Sequence, residues 1–301
     1  MTKDKVVVLG GSGFIGREIV KSLVKNNANV VVGCRDPRKA RYLEKIEGNG
    51  SIDIIPTDVT NRNDLQKVIQ QANVVVSLVG ILFESGKNTF DAVQGNTPGV
   101  IGEEAKKAGV ERLVHISALG ADLCSLSKYA SSKAIGEELL MKKFPQATIL
   151  RPSIVFGKED NFFNKFSRMA TFSPFLPLIG GGRTLFQPVY VKDVSSAVLK
   201  ILDSRKTNGK LYELGGPSIY SFKELIELTM QISKKPRLLL NLPFWVANLQ
   251  ARCMEILPNP LLTSDQLELL KKDNIVSKEA LTLADLDISA TDCKAILPTY
   301  L

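Results

Sequence analysis

The chain has 301 residues, a formal net charge of +8, and 44% hydrophobic against 23% charged residues. This composition is typical of one large or two modest globular α/β domains, without repeats or low-complexity tracts. The positive charge suits a polyanionic cofactor, an acidic partner or an anionic membrane face. The scattered lysines and arginines, with no recognition motif, argue against nucleic acid. The four cysteines form no CxxC pair and His115 is the only histidine, which excludes a histidine-based zinc site and predicts no metal.

The first predicted unit is a strand, a glycine-rich turn and a helix. An apolar run at residues 6–9 predicts a buried parallel strand, and a helical pattern follows the turn at once. Gly10 permits a tight turn, Gly13 lets backbone amides approach a pyrophosphate, and Gly16 lets the helix pack closely on the sheet. The helix N-terminus at Phe14 and Ile15 supplies a partial positive charge. These five residues are predicted to hold a dinucleotide; the alternative is a glycine-rich turn without a ligand.

The second predicted strand, at residues 28–32, ends in a corner that bears on the type of dinucleotide. An acidic residue at this corner binds the ribose 2′-hydroxyl of NAD, whereas arginine accommodates the 2′-phosphate of NADP. Asp36 is present, but Asp-Pro is also a common helix start. Arg35 and Arg38 are therefore the predicted 2′-phosphate ligands, which favours NADP(H) over NAD(H). The alternative is that both arginines are solvated surface charges.

Strands and helices then alternate to about residue 155. Further strands are predicted at residues 51–55, 73–80, 112–117 and 147–151, and helices at residues 63–71, 90–108 and 129–143. This alternation predicts an α/β fold, a Rossmann-type doubly wound parallel sheet. We assign residues 1–155 to the NAD(P)-binding domain. Residues 156–301 are predicted to form a smaller, mainly helical lobe, partly interleaved with the sheet, for substrate or partner docking.

Five residues at the predicted carboxyl ends of strands are candidate cofactor ligands, because ligands bind at that edge of open α/β sheets. They are Asp58, Val59, Leu78, Val79 and Gly80. Asp58 is placed to contact the adenine amino group, and Gly80 allows the backbone to approach a ribose. An aspartate after a strand is, however, more often a helix cap.

Ser117, Tyr129 and Lys133 form a candidate catalytic site. Tyr129 and Lys133 are four residues apart and therefore share one helical face. An ammonium beside a phenol is expected to lower the phenol pKa, so that tyrosinate can take a proton from a substrate hydroxyl. Ser117 would hold the reacting oxygen. Lys133, together with Tyr129, would also contact the nicotinamide ribose.

The glycine-rich turn, Ser117, Tyr129 and Lys133 resemble the short-chain dehydrogenase/reductase superfamily, in its extended and atypical branches. More narrowly, the chain resembles the nucleotide-binding accessory subunit of respiratory complex I and its bacterial homologues. The segments that carry this narrower resemblance lie at residues 151–160, 187–191, 208–217, 242–245, 256–258 and 262–266, whereas residues 190–194 resemble a segment of the extended and atypical branches. The resemblance implies NADP(H) bound for structural reasons and docking beside the membrane arm of NADH:ubiquinone oxidoreductase.

Two further functions stay open. The retained Ser-Tyr-Lys set is consistent with an NADP(H)-dependent reductase, epimerase or dehydratase. The gap of twelve residues from Ser117 to Tyr129 is shorter than in sugar-nucleotide epimerases, which disfavours a sugar-nucleotide substrate. A non-catalytic redox sensor is the third hypothesis, which requires reduced and oxidised cofactor to bind with different affinity.

The last observations concern location. A first strand at about residue 5 leaves no room for a presequence, and no apolar run is long enough to span a bilayer. We expect a bacterial protein in the reducing cytoplasm, peripheral on the inner membrane where it docks on complex I. A basic cluster at residues 234–237, followed by leucines and the only tryptophan, Trp245, indicates either a membrane- or partner-facing surface or a buried lobe core.

Overall fold

The fold is known from a computed structural model that describes residues 4–257 and 260–301. Pro258, which belongs to one of the segments of the resemblance, lies outside these residues. The strands of the first half are β1 Lys5–Leu9, β2 Asn29–Cys34, β3 Ile52–Pro56, β4 Val74–Ser77, β5 Arg112–Ile116 and β6 Thr148–Pro152. The helices of the first half are α1 Phe14–Lys25, α2 Pro37–Ala40, α3 Arg62–Ile69, α4 Thr97–Lys107 and α5 Lys128–Lys143. A 3₁₀ turn, Arg41–Lys45, follows α2, and a π-helical turn, Asp91–Asn96, precedes α4.

The second half adds short strands and six helices within the described residues. The strands are β7 Val155–Phe156, β8 Phe175–Ile179, β9 Leu185–Phe186, β10 Val189–Tyr190, β11 Leu211–Leu214, β12 Tyr220–Ser221 and β13 Leu238–Leu242. The helices are α6 Phe163–Phe172, α7 Val191–Asp203, α8 Phe222–Ser233, α9 Phe244–Met254, α10 Ser264–Leu269 and α11 Cys293–Ile296. Short 3₁₀ turns lie at Gly180–Gly182, Arg205–Thr207, Ala284–Leu286 and Leu297–Thr299.

Seven strands form one parallel sheet in the order β11-β6-β5-β4-β1-β2-β3. The central strand β1 is bordered by β2 and β4, with Val7 opposite Val31 and Val75. The β-branched runs of these strands favour extended backbone, and burial on both faces explains why they are continuously apolar. The predicted Rossmann-type doubly wound sheet is confirmed.

The sheet separates two hydrophobic cores because successive side chains of each strand point to opposite faces. Val6 and Val8 pack with α1 and α7 on one face, while Val7 and Leu9 pack with α3, α4 and α5 on the other. A third core, around Phe156 and Phe163, lies among the elements of the second half.

The second half returns to the sheet twice. β11 pairs with β6, and α7 lies against α1, where the Ser195 hydroxyl donates to Ser22 Oγ at 2.8 Å. A buried guanidinium of Arg112, on β5, donates to carbonyl oxygens at the end of α7, Ile201 O and Ser204 O. Contacts of this kind tie residues beyond 155 to the first half of the chain.

The predicted elements of the first half are present, and most of their bounds lie within two residues of the prediction. Two differ. The fourth strand ends at Ser77, so Leu78, Val79 and Gly80 follow it as a loop. The single helix expected at residues 90–108 is a π-helical turn followed by α4, because Pro98 lies in the first turn of α4 and supplies no N–H to the segment before it.

Within residues 4–257 and 260–301, no helix combines the length and the apolar character that crossing a membrane requires.

Candidate functional site

The glycine-rich turn has the geometry that its sequence predicts. Gly10 has φ of 83°, a left-handed conformation, and its N–H donates to Gly33 O at 3.0 Å. A Cβ on Gly16 would lie 2.4 Å from Gly10 O, which a side chain cannot do without displacing the turn. Gly10 and Gly16 therefore require glycine for different reasons, one for its backbone conformation and the other for close packing.

Helix α1 presents its N-terminus at this turn. Gly13 is the N-cap residue. It has no side chain, so it caps neither of the first-turn amides of Phe14 and Ile15. Free first-turn amides and the helix dipole favour an anion here, as a pyrophosphate requires. The structure places Gly10, Gly13, Phe14, Ile15 and Gly16 at this one turn.

The corner after β2 distinguishes between the two arrangements that the sequence left open for Asp36. Its carboxylate accepts from the Arg38 N–H at 3.1 Å and caps α2. This is the helix-start role, which uses Oδ1 of the carboxylate. Arg35 and Arg38 are both exposed, with 87% of the Arg38 side chain accessible. The Arg38 guanidinium lies 3.5 Å from the Asp36 carboxylate, measured from Arg38 Nε to Asp36 Oδ1.

A further arginine, which the sequence analysis did not select, lies beside the turn. The guanidinium of Arg17 sits 4.9 Å from the centre of the Tyr42 ring, and the Tyr42 hydroxyl donates to Ser12 O within the turn at 2.8 Å. Arg17 also forms an ion pair with Glu159. The sequence does contain a sign of this position, because Arg17 directly follows the last glycine of the turn and therefore lies in the first turn of α1.

Residues 157–160, which we call the clasp, lie over this turn. A Cβ on Gly157 would lie 3.3 Å from the Phe14 ring, so the two segments are in close contact, next to the Arg17–Glu159 ion pair. Asp160 is buried and accepts from the amides of Gly157, Phe163 and Asn164. It also accepts from the Tyr300 hydroxyl, which attaches the clasp to the end of the chain.

Asp58 is engaged within the protein. Its carboxylate accepts from the Thr60 hydroxyl at 2.7 Å and pairs with Lys87, and these bonds lower the pKa of Asp58 to about 2, Lys87 contributing most. It does not cap α3, because Asn61 does so. The Val59 carbonyl accepts from Thr97 at 3.1 Å. Both residues lie at the expected edge of the sheet, but their polar groups already have partners.

Lys133 lies beneath the loop that follows β4. Its buried ammonium donates to Val79 O at 3.2 Å and to Ile116 O at 3.4 Å. A Cβ on Gly80 would lie 3.0 Å from Lys133 Nζ. The structure thus brings the predicted residues Val79, Gly80 and Lys133 together, and places Leu78 beside Gly10, whose Cβ would lie 3.3 Å from Leu78 O.

Gln94 is a second residue that the sequence analysis missed. It is fully buried in the π-helical turn, and its side chain accepts from the Ile81 N–H at 3.2 Å and donates to Ser132 Oγ at 3.0 Å. It therefore joins the loop after β4 to helix α5, which carries Tyr129. No periodic pattern marks it, because a π-helical turn shifts side chains out of the helical repeat.

The Tyr129 phenol does not have the lowered pKa expected from the sequence. Burial first, and the Asp265 carboxylate second, raise the pKa of Tyr129 to about 12. Lys133 does not counter this rise, because its ammonium donates to the backbone carbonyls of Val79 and Ile116. Burial in turn lowers the pKa of Lys133 to about 8.

Asp265 reaches α5 from the second half. Its carboxylate accepts from the Ser127 hydroxyl at 2.9 Å and from the Lys128 N–H at 2.6 Å. An acidic group here satisfies first-turn amides and complements the helix dipole, so it fixes the start of the helix that carries Tyr129 and Lys133. Local sequence gives no sign of this contact, because Asp265 follows its partners by more than 130 residues.

The remaining polar groups at the site are Ser117 and His115. The Ser117 hydroxyl is buried and has no hydrogen-bond partner among the described residues. His115 Nδ1 lies 3.2 Å from the Ser77 hydroxyl. Burial first, and the Lys133 charge second, lower the pKa of His115 to about 3, so the imidazole is neutral near pH 7. The described residues contain no cluster of three or more histidine, cysteine, aspartate or glutamate side chains suited to a metal.

Comparisons with known proteins agree with this geometry. A family model described as NAD(P)H-binding matches residues 10–168, which include the glycine-rich turn, Ser117, Tyr129 and Lys133. The chain belongs to this NAD(P)H-binding family. The family assignment shows a nicotinamide dinucleotide as the cofactor class.

Full-length relatives narrow the assignment. NADH dehydrogenase (ubiquinone) 1 alpha subcomplex subunit 9, mitochondrial, of Arabidopsis thaliana is 34% identical over 293 residues, covering 93% of this chain and 73% of the relative. The subunit of the same name from Mus musculus is 31% identical, covering 94% and 76%. This NAD(P)H-binding protein and the two subunits are members of one family, which confirms the predicted resemblance to complex I accessory subunits.

A solved structure, MoeE5 in complex with UDP-glucose and NAD, is similar in fold, with a TM-score of 0.75 and coverage of 98% of this chain and 97% of that one. The two sequences are 19% identical, so the likeness concerns the fold alone.

Proposed function

We propose that the protein is an accessory or assembly subunit of NADH:ubiquinone oxidoreductase that carries NADP(H) as a structural cofactor. The observation that carries the structural role is the clasp. The clasp contacts Phe14 and pairs with Arg17 in the first turn of α1, so a dinucleotide bound at this N-terminus would stabilise the segment on which the clasp rests. The role in the complex rests on the family relatives.

The proposal assigns a task to each half. Residues 1–155 bind the cofactor, and residues 156–301 dock the partner at the cytoplasmic face of the inner membrane. Under this division, Gly10, Gly13, Phe14, Ile15 and Gly16 hold the phosphates. Asp58, Val59, Leu78, Val79, Gly80, Tyr129 and Lys133 lie along the rest of the dinucleotide.

Preference for NADP(H) over NAD(H) is the finer part of the proposal, and the two exposed arginines at the corner after β2, Arg35 and Arg38, support it. The first test is to denature the purified protein and identify the released nucleotide, which we expect to be near-stoichiometric NADP(H). In Arg35→Ala/Arg38→Ala, we expect affinity for NADPH to fall by about tenfold to a hundredfold, as loss of two charge-assisted bonds implies, with NADH affinity unchanged. Arg41→Ala is the matched control, since Arg41 is exposed in the same segment. Release of NAD(H), or equal losses for both nucleotides, would contradict the assignment.

A second candidate function is an NADP(H)-dependent reductase, epimerase or dehydratase. The unpartnered Ser117 hydroxyl favours it, because such a group is available to a substrate oxygen. Against it, a phenol with a pKa of about 12 is a poor source of tyrosinate near pH 7.

Tyr129→Phe separates the two functions. We expect nucleotide content and thermal stability to stay at the wild-type level, because the backbone of Tyr129, not its hydroxyl, makes the recorded hydrogen bonds to Gln94 and Asp265. The measurement is released nucleotide together with NADPH oxidation against a panel of carbonyl substrates. Wild-type turnover that disappears in Tyr129→Phe would replace the accessory role with catalysis. If the wild type turns over none of the substrates and both proteins keep their full nucleotide content, the accessory role is supported.

A further inference from the structure

The two-stranded ribbon β8–β13 is apolar on both faces. Leu176 and Leu178 point inward, at 0% and 5% exposure, into the core around Phe163. The opposite face carries Leu238, which is paired in register with Phe175, and these side chains are 72% and 48% exposed. A strand with one solvated face ordinarily alternates apolar with polar side chains.

Helix α9, which follows the ribbon, buries its small apolar residues and exposes its large ones. Its small residues Ala247 and Ala251 are fully buried, whereas Trp245 and Leu249 are 74% and 61% exposed. Trp245 and Leu249 are four residues apart and lie on one side of the helix. A surface helix that packs on a core presents its large apolar residues inward, so this orientation favours contact with something outside the chain.

The ribbon and the helix form one continuous surface. Phe172 and Leu238 line the same groove, together with Pro174, Pro236 and Arg237. At the other end, α9 begins two residues after β13, and the Phe244 ring packs against Gly180, which directly follows β8. We call this the apolar surface, composed of Phe172, Phe175, Leu238, Leu240, Trp245 and Leu249.

The segments that build the apolar surface carry charges of one sign. Segments 161–182 and 234–254, which build it, contain six lysines and arginines and no aspartate or glutamate, although the chain has 31 acidic residues. Lys234, Arg168 and Arg252 are exposed. Glu255, the first acidic residue after α9, accepts from the Ser264 N–H. This surface therefore concentrates much of the net charge of +8.

We propose that the apolar surface binds an anionic lipid membrane, with α9 and the outer face of the ribbon inserted among the headgroups. Tryptophan and leucine next to lysine and arginine match the headgroup boundary, where apolar side chains meet acyl chains and basic side chains meet lipid phosphates. A second copy of the chain is a poor occupant, because a two-fold contact would bring six positive charges against six. The lipid contact goes beyond the proposed cofactor role, since it needs no dinucleotide chemistry.

The test is sedimentation of the full chain with phosphatidylcholine vesicles that contain phosphatidylglycerol, compared with vesicles of phosphatidylcholine alone. We expect binding to the anionic vesicles only, weakened by added salt. Trp245→Ser/Leu249→Ser should bind about a hundredfold more weakly, from the apolar area no longer buried. Lys234→Gln/Arg168→Gln/Arg252→Gln should also bind about a hundredfold more weakly.

Matched controls separate this surface from general effects. Leu126→Ser removes an apolar side chain that is 85% exposed elsewhere, and Lys25→Gln/Lys206→Gln/Lys210→Gln lowers the net charge by the same three units. Both controls should bind like the wild type. Equal binding to neutral vesicles, no binding to either, or equal losses in the controls would overturn the proposal. Self-association that Trp245→Ser/Leu249→Ser abolishes, without vesicle binding, would overturn it in favour of a protein partner. Released nucleotide, measured on the same samples, tests the cofactor role separately.

Discussion

Gly13→Asp is expected to empty the dinucleotide site of a protein that remains folded. Gly13 is exposed and extended, with φ of −78° and ψ of 176°, and aspartate is a preferred N-cap in that conformation. The new carboxylate would face the pyrophosphate at the end of α1. Two unit charges about 4 Å apart near a protein surface repel by about 4 kcal/mol, or about a thousandfold in affinity.

Two measurements check this prediction. Released nucleotide should fall to background, and the melting temperature of the nucleotide-free variant should equal or exceed that of nucleotide-free wild type. Gly13→Asn keeps the size and capping ability without the charge, so it should retain far more nucleotide. Gly16→Ala is the contrasting variant, because its Cβ would collide with Gly10 O and lower stability as well. Near-stoichiometric nucleotide in Gly13→Asp would show that the phosphates do not bind at this turn.

Asp160→Ala should have the second large effect, on stability. The buried carboxylate accepts from three backbone amides and from the Tyr300 hydroxyl, so its removal leaves several buried donors unpaired. We expect the free energy of unfolding to fall by about 3–5 kcal/mol. Because the clasp then loosens over Phe14, nucleotide should also be released faster.

The free energy of unfolding is measured by urea denaturation of Asp160→Ala and of two milder variants. Tyr300→Phe removes one of the four bonds and should cost about 1 kcal/mol. Glu159→Gln breaks only the partly exposed ion pair with Arg17 and should cost about 1 kcal/mol or less. Equal losses across the three variants would contradict a role centred on Asp160.

The features predictable from sequence are those with local causes. Gly10 and Gly16 are required by contacts within the same turn, and the Asp36 cap is set by the Arg38 N–H two residues away. The parallel strands are predicted by runs of β-branched residues, because a continuously apolar run must be buried on both faces. The roles of these residues follow from covalent geometry and spacing alone.

The features that escaped prediction depend on partners distant in sequence. Asp265 caps the start of α5 although it lies more than 130 residues later in the sequence. Lys87 forms an ion pair with the Asp58 carboxylate, which was expected to face adenine. The Tyr129 pKa depends on burial, which Tyr-x-x-x-Lys spacing does not contain. The position of the Gln94 side chain depends on the π-helical turn, which precedes Pro98 in the first turn of α4.

The position of β11 has a consequence for how the chain comes off the ribosome. β6 lies at the middle of the chain, but the strand that covers its outer edge follows only after β7, α6, the strands β8 to β10 and α7 have been synthesised. Until then β6 exposes a row of unpaired amide and carbonyl groups at the end of an otherwise complete sheet. The nascent chain therefore passes through an interval in which this open edge can pair with another chain.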